Sequence, residues 1–321
     1  MRIHRHHTAV APQDRGSVVA IGNFDGIHLG HQAVIGLAGE RARVLGVPHA
    51  VLTFEPHPRS VFRPDDPPFR LAPFRTKARL IERLGADLLF SLHFDLDFAK
   101  ESAETFVDRV VIEGLGAREI LVGRDFVFGN KRRGNPALLQ ELGAKLGFAV
   151  SVIDPIRRAD GEKAYSSTRI REQLQSGRPR EAAAVLGRFW EIEGRVQHGD
   201  QRGRTLGFPT ANMGLSDYLR PQVGVYAVRA GVPGPDGHTT WHDAVANLGM
   251  RPTVGGLDLR LETHLFDFSG DLYGRHLRVA LVDFLRAEKK FDGLPALKDQ
   301  IAKDSEAARV ILAKEPPTAD Q

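Results

Sequence analysis

Val18-Val19-Ala20-Ile21-Gly22-Asn23-Phe24-Asp25-Gly26-Ile27-His28-Leu29-Gly30-His31 runs from an apolar segment into a glycine-rich turn, and Gln32 to Leu45 then has the spacing of a helix. Four apolar residues in succession are what a strand covered on both faces requires. A glycine-rich turn between strand and helix places backbone N–H groups and the positive helix end where an anion can sit. His28 and His31, three residues apart around Gly30, meet at that point. Glycine between them lets a polyphosphate approach the backbone closely. The combination suits stabilisation of charge on a nucleoside triphosphate. The plainer alternative is a helix cap with two imidazoles facing water.

The same alternation continues outward. His49–Phe54, Leu88–Phe94, Ile120–Val122 and Ala149–Ile153 join Val18–Ile21 as expected strands. Helices are expected over Gln32–Leu45, Phe74–Leu84, Ala103–Glu113 and Pro136–Leu146. Strand–helix alternation predicts an α/β domain, a doubly wound parallel sheet that binds ligands at the carboxyl ends of its strands. Thr168–Gln175 and Arg180–Leu186 read as two short helices.

From Glu191 the texture changes. Glu191–Val196, Val225–Arg229, Ala244–Asn247, Leu259–Phe266 and Leu277–Leu285 alternate between turns rich in Gly and Pro, which predicts an all-β domain, a small antiparallel barrel. A basic amphipathic helix over Glu288–Lys314 is expected to pack Leu297, Ile301, Ala308 and Ile311 on the barrel, with a frayed tail after it. The chain thus divides into residues 1–187 and 188–321, as its 321 residues, too many for one core, suggest. His4, His6 and His7 are expected in a mobile polar terminus.

Composition removes whole classes of function. With no cysteine there is no disulfide, thiolate metal site or cysteine nucleophile. No apolar run approaches a membrane span and no signal-peptide pattern opens the chain, so a cytoplasmic protein without a membrane partner is expected. The net charge of +4 comes from basic residues interspersed with acidic ones. Nucleic acid is therefore not an expected partner, whereas phosphate-bearing small molecules are. Nothing in the sequence speaks to oligomeric state.

Six more strings carry chemistry. Thr53-Phe54-Glu55-Pro56-His57-Pro58, with Phe62 after it, offers apolar surface at the end of a strand. Gly123-Arg124-Asp125-Phe126-Val127-Phe128-Gly129, followed by Lys131-Arg132-Arg133-Gly134, is too aromatic for a merely solvated loop. Ser166-Ser167-Thr168-Arg169-Ile170-Arg171 starts a helix, where hydroxyls cap and also bind phosphate. Gly199 to Asn212 contains Gly207-Phe208-Pro209-Thr210-Ala211-Asn212, and Asn247 to Gly256 and Leu261-Glu262-Thr263-His264 follow.

Together these strings resemble the family of bifunctional bacterial riboflavin kinases/FMN adenylyltransferases, whose first half is an HxGH nucleotidyltransferase. The resemblance runs from about Val18 to about Ala308. It implies phosphorylation of riboflavin by ATP to FMN, then adenylylation of FMN by ATP to FAD with release of pyrophosphate. ATP and Mg²⁺ are implied as co-substrate and cofactor. For the first site it implies His28 and His31 as catalytic groups, and Gly22, Asn23, Phe24, Asp25, Gly30, Ser166, Ser167, Thr168 and Arg171 as ATP contacts. Either Arg169 or Arg171 could face the triphosphate, and Arg171 is preferred. Phe54, Pro56, Pro58, Phe62, Asp125 and Phe128 would hold the flavin.

For the kinase site the resemblance implies Glu262 as general base, and Thr210 and Asn212 at Mg²⁺. Gly199, Arg204, Gly207, Pro209, Asn247 and Arg251 would contact nucleotide or flavin, and Arg286 is a weaker candidate. A nucleotidyltransferase acting on another substrate would leave the second set of motifs unused. An RNA-binding barrel would leave both sets without a role.

Overall fold

Val18 and Ala20 face one side of their strand, Val19 and Ile21 the other, and all four are buried. That alternation needs an apolar layer on each face of the sheet, and the fold supplies both. The chain is described by a computed structural model over residues 1–155, 164–198, 207–253 and 256–315, with 251–253 and 256–258 in backbone only. It divides into two units. The first is Met1–Pro67 with Ala72–Ser166; the second is Pro68–Leu71 with Ser167–Gln321.

The first unit is built on six strands: β1 (Arg2–His4), β2 (Val18–Ile21), β3 (His49–Glu55), β4 (Leu88–His93), β5 (Glu119–Gly123) and β6 (Ala149–Ile153). They lie in the order β1-β4-β3-β2-β5-β6, and every pairing is parallel. On one face α1 (Leu29–Leu45) and α3 (Phe74–Arg83) bury Ile35, Ala38 and Ile81 against Val18, Val51 and Leu89. Between them in sequence, α2 (Pro58–Phe62) is a short turn of helix. On the other face Phe106, Val110, Val111 and Leu139 cover Val19, Leu52 and Phe90. These come from α4 (Ala103–Phe106), which widens into a π-wound stretch over Val107–Leu115, and from α5 (Pro136–Leu146). Each such buried aliphatic side chain contributes about 1.5–3 kcal/mol.

Strand β1 corrects the expectation of a mobile terminus. Arg2–His4 pairs with Leu88–Phe90, and the His4 ring stacks on Phe90 at 4.9 Å while its Nε2 lies 2.9 Å from Asp14 Oδ2. The strand is polar because it is an edge, and its stabilising partners are remote in sequence.

The second unit begins with α6 (Ser167–Gln175) and α7 (Pro179–Leu186). Its sheet comprises β7 (Trp190–Arg195), β8 (Ala211–Gly214), β9 (Gly224–Pro233), β10 (Thr239–Thr253), β11 (Gly256–Leu265) and β12 (His276–Arg286). The order is β7-β12-β9-β10-β11-β8, antiparallel throughout. A bridge between Gln197 and Asn212, with Gln197 N–H donating to Asn212 O at 2.8 Å, joins the two edges into a barrel. The closing helix α8 (Leu294–Leu312) buries Ala308 and Leu312 against Val225, Ala227 and Val245. It starts later than the apolar spacing suggested, because Gly293 at φ 94° and Pro295 set its first turn. Pro68–Leu71 belongs to this unit: Leu219 N–H donates to Arg70 O (2.8 Å) and Trp190 Nε1 to Leu71 O (2.8 Å).

Candidate active sites

The first site forms where β2 and β5 lie side by side. Their connections depart in opposite directions, β2 towards β3 and β5 towards β6, which opens a crevice beyond their carboxyl ends. The turn after β2 is tied down at several points. Gly22 N–H donates to Leu52 O (3.1 Å), and Thr53 Oγ1 donates to Asn23 O (3.1 Å). Asp25, only 2% exposed, accepts the Ala72 N–H at 3.0 Å. Its carboxylate thereby shapes the turn from behind. Phe24 and Ile27 hold φ of 47° and 45°, a conformation non-glycine residues keep only when their surroundings fix it. The Phe24 ring lies over Gly22, where a Cβ would stand 3.0 Å from it.

This turn delivers His28 to the cap of α1. Its Nδ1 accepts the His31 N–H at 3.3 Å, and the two rings stack with centroids 3.6 Å apart and planes 17° from parallel. A Cβ on Gly30 would come within 3.2 Å of the His28 ring and press it aside by a few tenths of an ångström. Because Nδ1 accepts, the His28 proton sits on Nε2, which is a donor. Capping and ligand binding are compatible here, since they use different nitrogens of one ring.

Aromatic residues gather along the same edge of the sheet. Phe54 at the end of β3 meets Phe94 (5.8 Å), Phe98 (6.0 Å) and Phe106 (6.4 Å). Phe62, 58% exposed, meets Phe94 edge-on at 5.8 Å. Pro56 is exposed and Pro58 half-buried at the start of α2. After β5, Phe128 packs on Phe106 (5.5 Å) and stacks with Phe126 (5.4 Å). Phe128 and Gly134 exchange two backbone hydrogen bonds, of 3.1 and 2.9 Å, which close the loop carrying Lys131, Arg132 and Arg133. A Cβ on Gly134 would lie 2.8 Å from the Phe128 ring. Asp125 stands exposed at the head of this loop. Sequence reasoning missed Phe94, Phe98 and Phe106, although Phe94 and Phe98 follow a strand at the same edge and were open to the same argument.

The Ser-Ser-Thr-x-Ile-Arg string straddles the division of the chain: Ser166 closes the first unit and Ser167 opens α6 in the second. Within the second unit Arg171 Nε donates to Phe69 O (2.9 Å), and its guanidinium lies over the Phe69 ring at 5.4 Å. Thr168 is exposed and Arg169 half-buried.

The second site lies on the barrel. Glu262 on β11 is in register with Asn212 on β8 and Asn247 on β10, so the three side chains share one face of the sheet. Asn212 Nδ2 approaches Thr210 O at 3.3 Å and Thr210 Oγ1 at 3.4 Å. His264, which sequence analysis quoted without a role, donates from Nδ1 to Pro209 O (2.9 Å) and meets Phe208 edge-on at 5.4 Å. Both contacts fix the approach to Thr210. Gly207 turns at φ 87° just before them. Asn247 Nδ2 donates to Glu288 Oε1 (3.3 Å), and a Cβ on Gly249 would fall 2.2 Å from that oxygen. Arg286 is engaged by Asp304 of α8 through contacts of 2.7 to 3.1 Å. Gly199 and Arg204 lie outside the described residues, as does the Arg251 side chain.

Thr210 and Asn212 fit Mg²⁺ in kind. They bring a hydroxyl beside a side-chain amide, and hydroxyl and amide oxygens are hard donors this cation takes when phosphate and water complete its shell. A half-turn of the Asn212 amide exchanges its nitrogen for its oxygen. Among the described residues no three His, Cys, Asp or Glu side chains are grouped as a metal set.

A parallel-sheet nucleotide-binding unit followed by an antiparallel barrel is the class of protein this fold defines. The FAD synthetase family model matches residues 10–169 and the riboflavin kinase family model residues 186–312. The chain is 40% identical over 310 residues to the bifunctional riboflavin kinase/FMN adenylyltransferase of Escherichia coli (strain K12), across 95% of each chain. It is 43% identical over 303 residues to the protein of that name from Pseudomonas fluorescens, across 94% of this chain and 95% of the other. A crystal structure described as a macrolide-efflux protein from Streptococcus pneumoniae matches with a TM-score of 0.83 at 31% identity, over 96% of this chain and 98% of that one. No helix among the described residues here is long and apolar enough to cross a membrane. The chain belongs to the bifunctional riboflavin kinase/FMN adenylyltransferase family.

Proposed function

We propose that the two sets of residues divide two successive reactions between them. The chain phosphorylates riboflavin with ATP to give FMN, and then adenylylates FMN with a second ATP to give FAD. The observation that carries the division is placement: His28 and His31 head the parallel sheet of the first unit, whereas Glu262 lies on the antiparallel sheet of the second. By the order of the motifs, residues 1–187 are assigned to adenylyl transfer and residues 188–321 to phosphorylation.

In the kinase, Glu262 accepts the proton of the riboflavin 5′-hydroxyl as its oxygen attacks the γ-phosphorus, and ADP departs. A carboxylate suffices, because the alcohol becomes more acidic as the new bond forms. Thr210 and Asn212 would hold Mg²⁺, which neutralises phosphate charge when bound, while Asn247 beside Glu262 positions substrate. Gly207 and Pro209 shape the loop there, and Gly199, Arg204 and Arg251 complete the set by family resemblance.

In the adenylyltransferase, an oxygen of the FMN phosphate attacks the α-phosphorus of ATP and pyrophosphate leaves. No bond to the protein forms, so positioning and charge stabilisation do the work. The His28 Nε2–H and the His31 ring face the developing charge, with Gly22 to Asp25 and Gly30 forming the turn. Ser166, Ser167, Thr168 and Arg171 add phosphate contacts. Phe54, Pro56, Pro58, Phe62 and Phe128 receive the isoalloxazine, with Asp125 on the tail. Both substrates are small molecules; nucleic acid has no part in the proposal, and a chain without cysteine suits the cytoplasm.

Glu262→Gln tests the assignment of the base. It should lower FMN formation by about a hundred- to ten-thousand-fold. FAD formation from supplied FMN should be unchanged, both half-reactions being followed by chromatography of the flavins. Riboflavin phosphorylation near the wild-type rate would make Glu262 an ordinary strand carboxylate.

A further inference from the structure

Lys77 lies on α3 with no exposed surface at all. Its Nζ is 3.1 Å from Glu55 Oε1 and 3.3 Å from Thr53 Oγ1. Thr53 is equally buried, and its hydroxyl donates in turn to Asn23 O at 3.1 Å. Ammonium, hydroxyl and carbonyl therefore form a chain of hydrogen bonds running one way, each polarising the next. All four residues belong to the first unit.

The chain ends at a telling place. Asn23 immediately precedes Phe24, the first of the two non-glycine residues at positive φ, and the turn they make sets down His28. A backbone in that conformation persists only where its surroundings over-determine it. Packing alone does not call for a lysine at this position, since a methionine fills the same volume without a charge to desolvate. Glu55 neutralises that charge locally, so what Lys77 adds is direction rather than field.

We infer that Lys77 is a positioning residue for adenylyl transfer: through Thr53 it fixes the Asn23 carbonyl, and so holds the Asn23–Ile27 turn in the form that places His28. This inference rests on the reading of the histidine turn as the adenylyl-transfer site.

The test uses the full chain and three variants, Lys77→Met, Thr53→Val and the pair together, with His28→Ala alongside. FAD formation from supplied FMN is measured for kcat and for KM of ATP. Riboflavin phosphorylation on the same preparations reports that the chain is folded. Lys77→Met should lower kcat for FAD formation by about a hundred-fold, the scale of a small displacement of reacting groups. Thr53→Val should lower it by about ten-fold, and the pair should be no worse than Lys77→Met alone, as members of one chain require. Phosphorylation should stay at the wild-type rate in all three.

Loss in His28→Ala with normal kcat in Lys77→Met, even at a lowered Tm, overturns the relay and leaves the site reading standing. Normal FAD formation in His28→Ala overturns both. Should Lys77→Met not fold, Thr53→Val decides alone, since removing one hydroxyl leaves the ion pair in place. A wild-type kcat in that variant, or strict additivity in the pair, refutes the relay.

Discussion

His28 caps α1, and the role proposed for it in adenylyl transfer can be separated from that cap. Its Nδ1 caps α1 by accepting the His31 N–H, which leaves the ring proton on Nε2. His28→Ala removes both, while His28→Asn keeps a side-chain oxygen able to cap. FAD formation should fall by a hundred-fold or more, on the order expected for losing a preorganised donor, in both variants. Only the alanine variant should also lose Tm, by the equivalent of about 1 kcal/mol of cap. FMN formation should persist in each. Comparing the two half-reactions with thermal unfolding checks this, and an asparagine variant with full activity would reduce His28 to a cap. The motif itself was readable because its glycines, histidines and apolar strand are contiguous. Lys77 and His264 are not readable in this way, because the groups they meet, Thr53 Oγ1 and Pro209 O, are brought near only by folding.

At the scale of elements, the buried start of β3 carries a titration. His49 is 4% exposed, and its Nδ1 lies 3.1 Å from Gly85 O. Burial lowers its pKa from the ordinary 6.5, against the smaller raising effects of the Gly85 carbonyl and Asp87. The unfolded chain therefore takes up a proton as pH falls through 6.5 that the folded chain resists. The stability owed to neutral His49 is complete above that pH and declines below it. His49→Asn keeps an N–H for Gly85 but cannot titrate. Between about pH 7.5 and about pH 5.5 the wild type should lose more Tm than this variant, as linkage requires. Equal slopes would show that His49 does not contribute.

Element boundaries were legible where periodicity was strong, as at Val18–Ile21 and Ala149–Ile153, which the structure reproduces residue for residue. β10 was read as ending at Asn247, because Gly249 and Pro252 look like a turn. The strand runs on to Thr253 through Gly249 and Pro252, so neither residue ends it. β8 is not legible in the sequence because Ala211-Asn212-Met213-Gly214 contains no β-branched or aromatic residue.

At the scale of the whole molecule, the change of texture at Glu191 marked the barrel but not the helices that go with it. α6 and α7 bury Ile170, Leu174, Val185 and Leu186 within the second unit. Arg180 on α7 also donates to Asp283 of β12 at 2.7 Å. A fragment of residues 188–321 should phosphorylate riboflavin, since it carries Thr210, Asn212 and Glu262. One of residues 167–321 should do so with a higher Tm, by several degrees for each kcal/mol recovered from the two helices. FMN production and thermal unfolding of both fragments check this. An inactive shorter fragment beside an active longer one moves the functional boundary to Ser167.

Pro68–Leu71 gives this architecture a genealogical consequence. The barrel unit takes part of itself from the middle of the first unit's sequence, so no single crossover between two related genes can transmit it whole without Ala72–Ser166. A hybrid joined anywhere between Ala72 and Ser166 inherits Trp190 and Leu219 from one parent and the carbonyls of Leu71 and Arg70 from the other. Both bonds accept at the main chain, which any residue at those positions would supply. Divergent halves could therefore be recombined at this join without losing either bond, provided that the four-residue segment keeps its length.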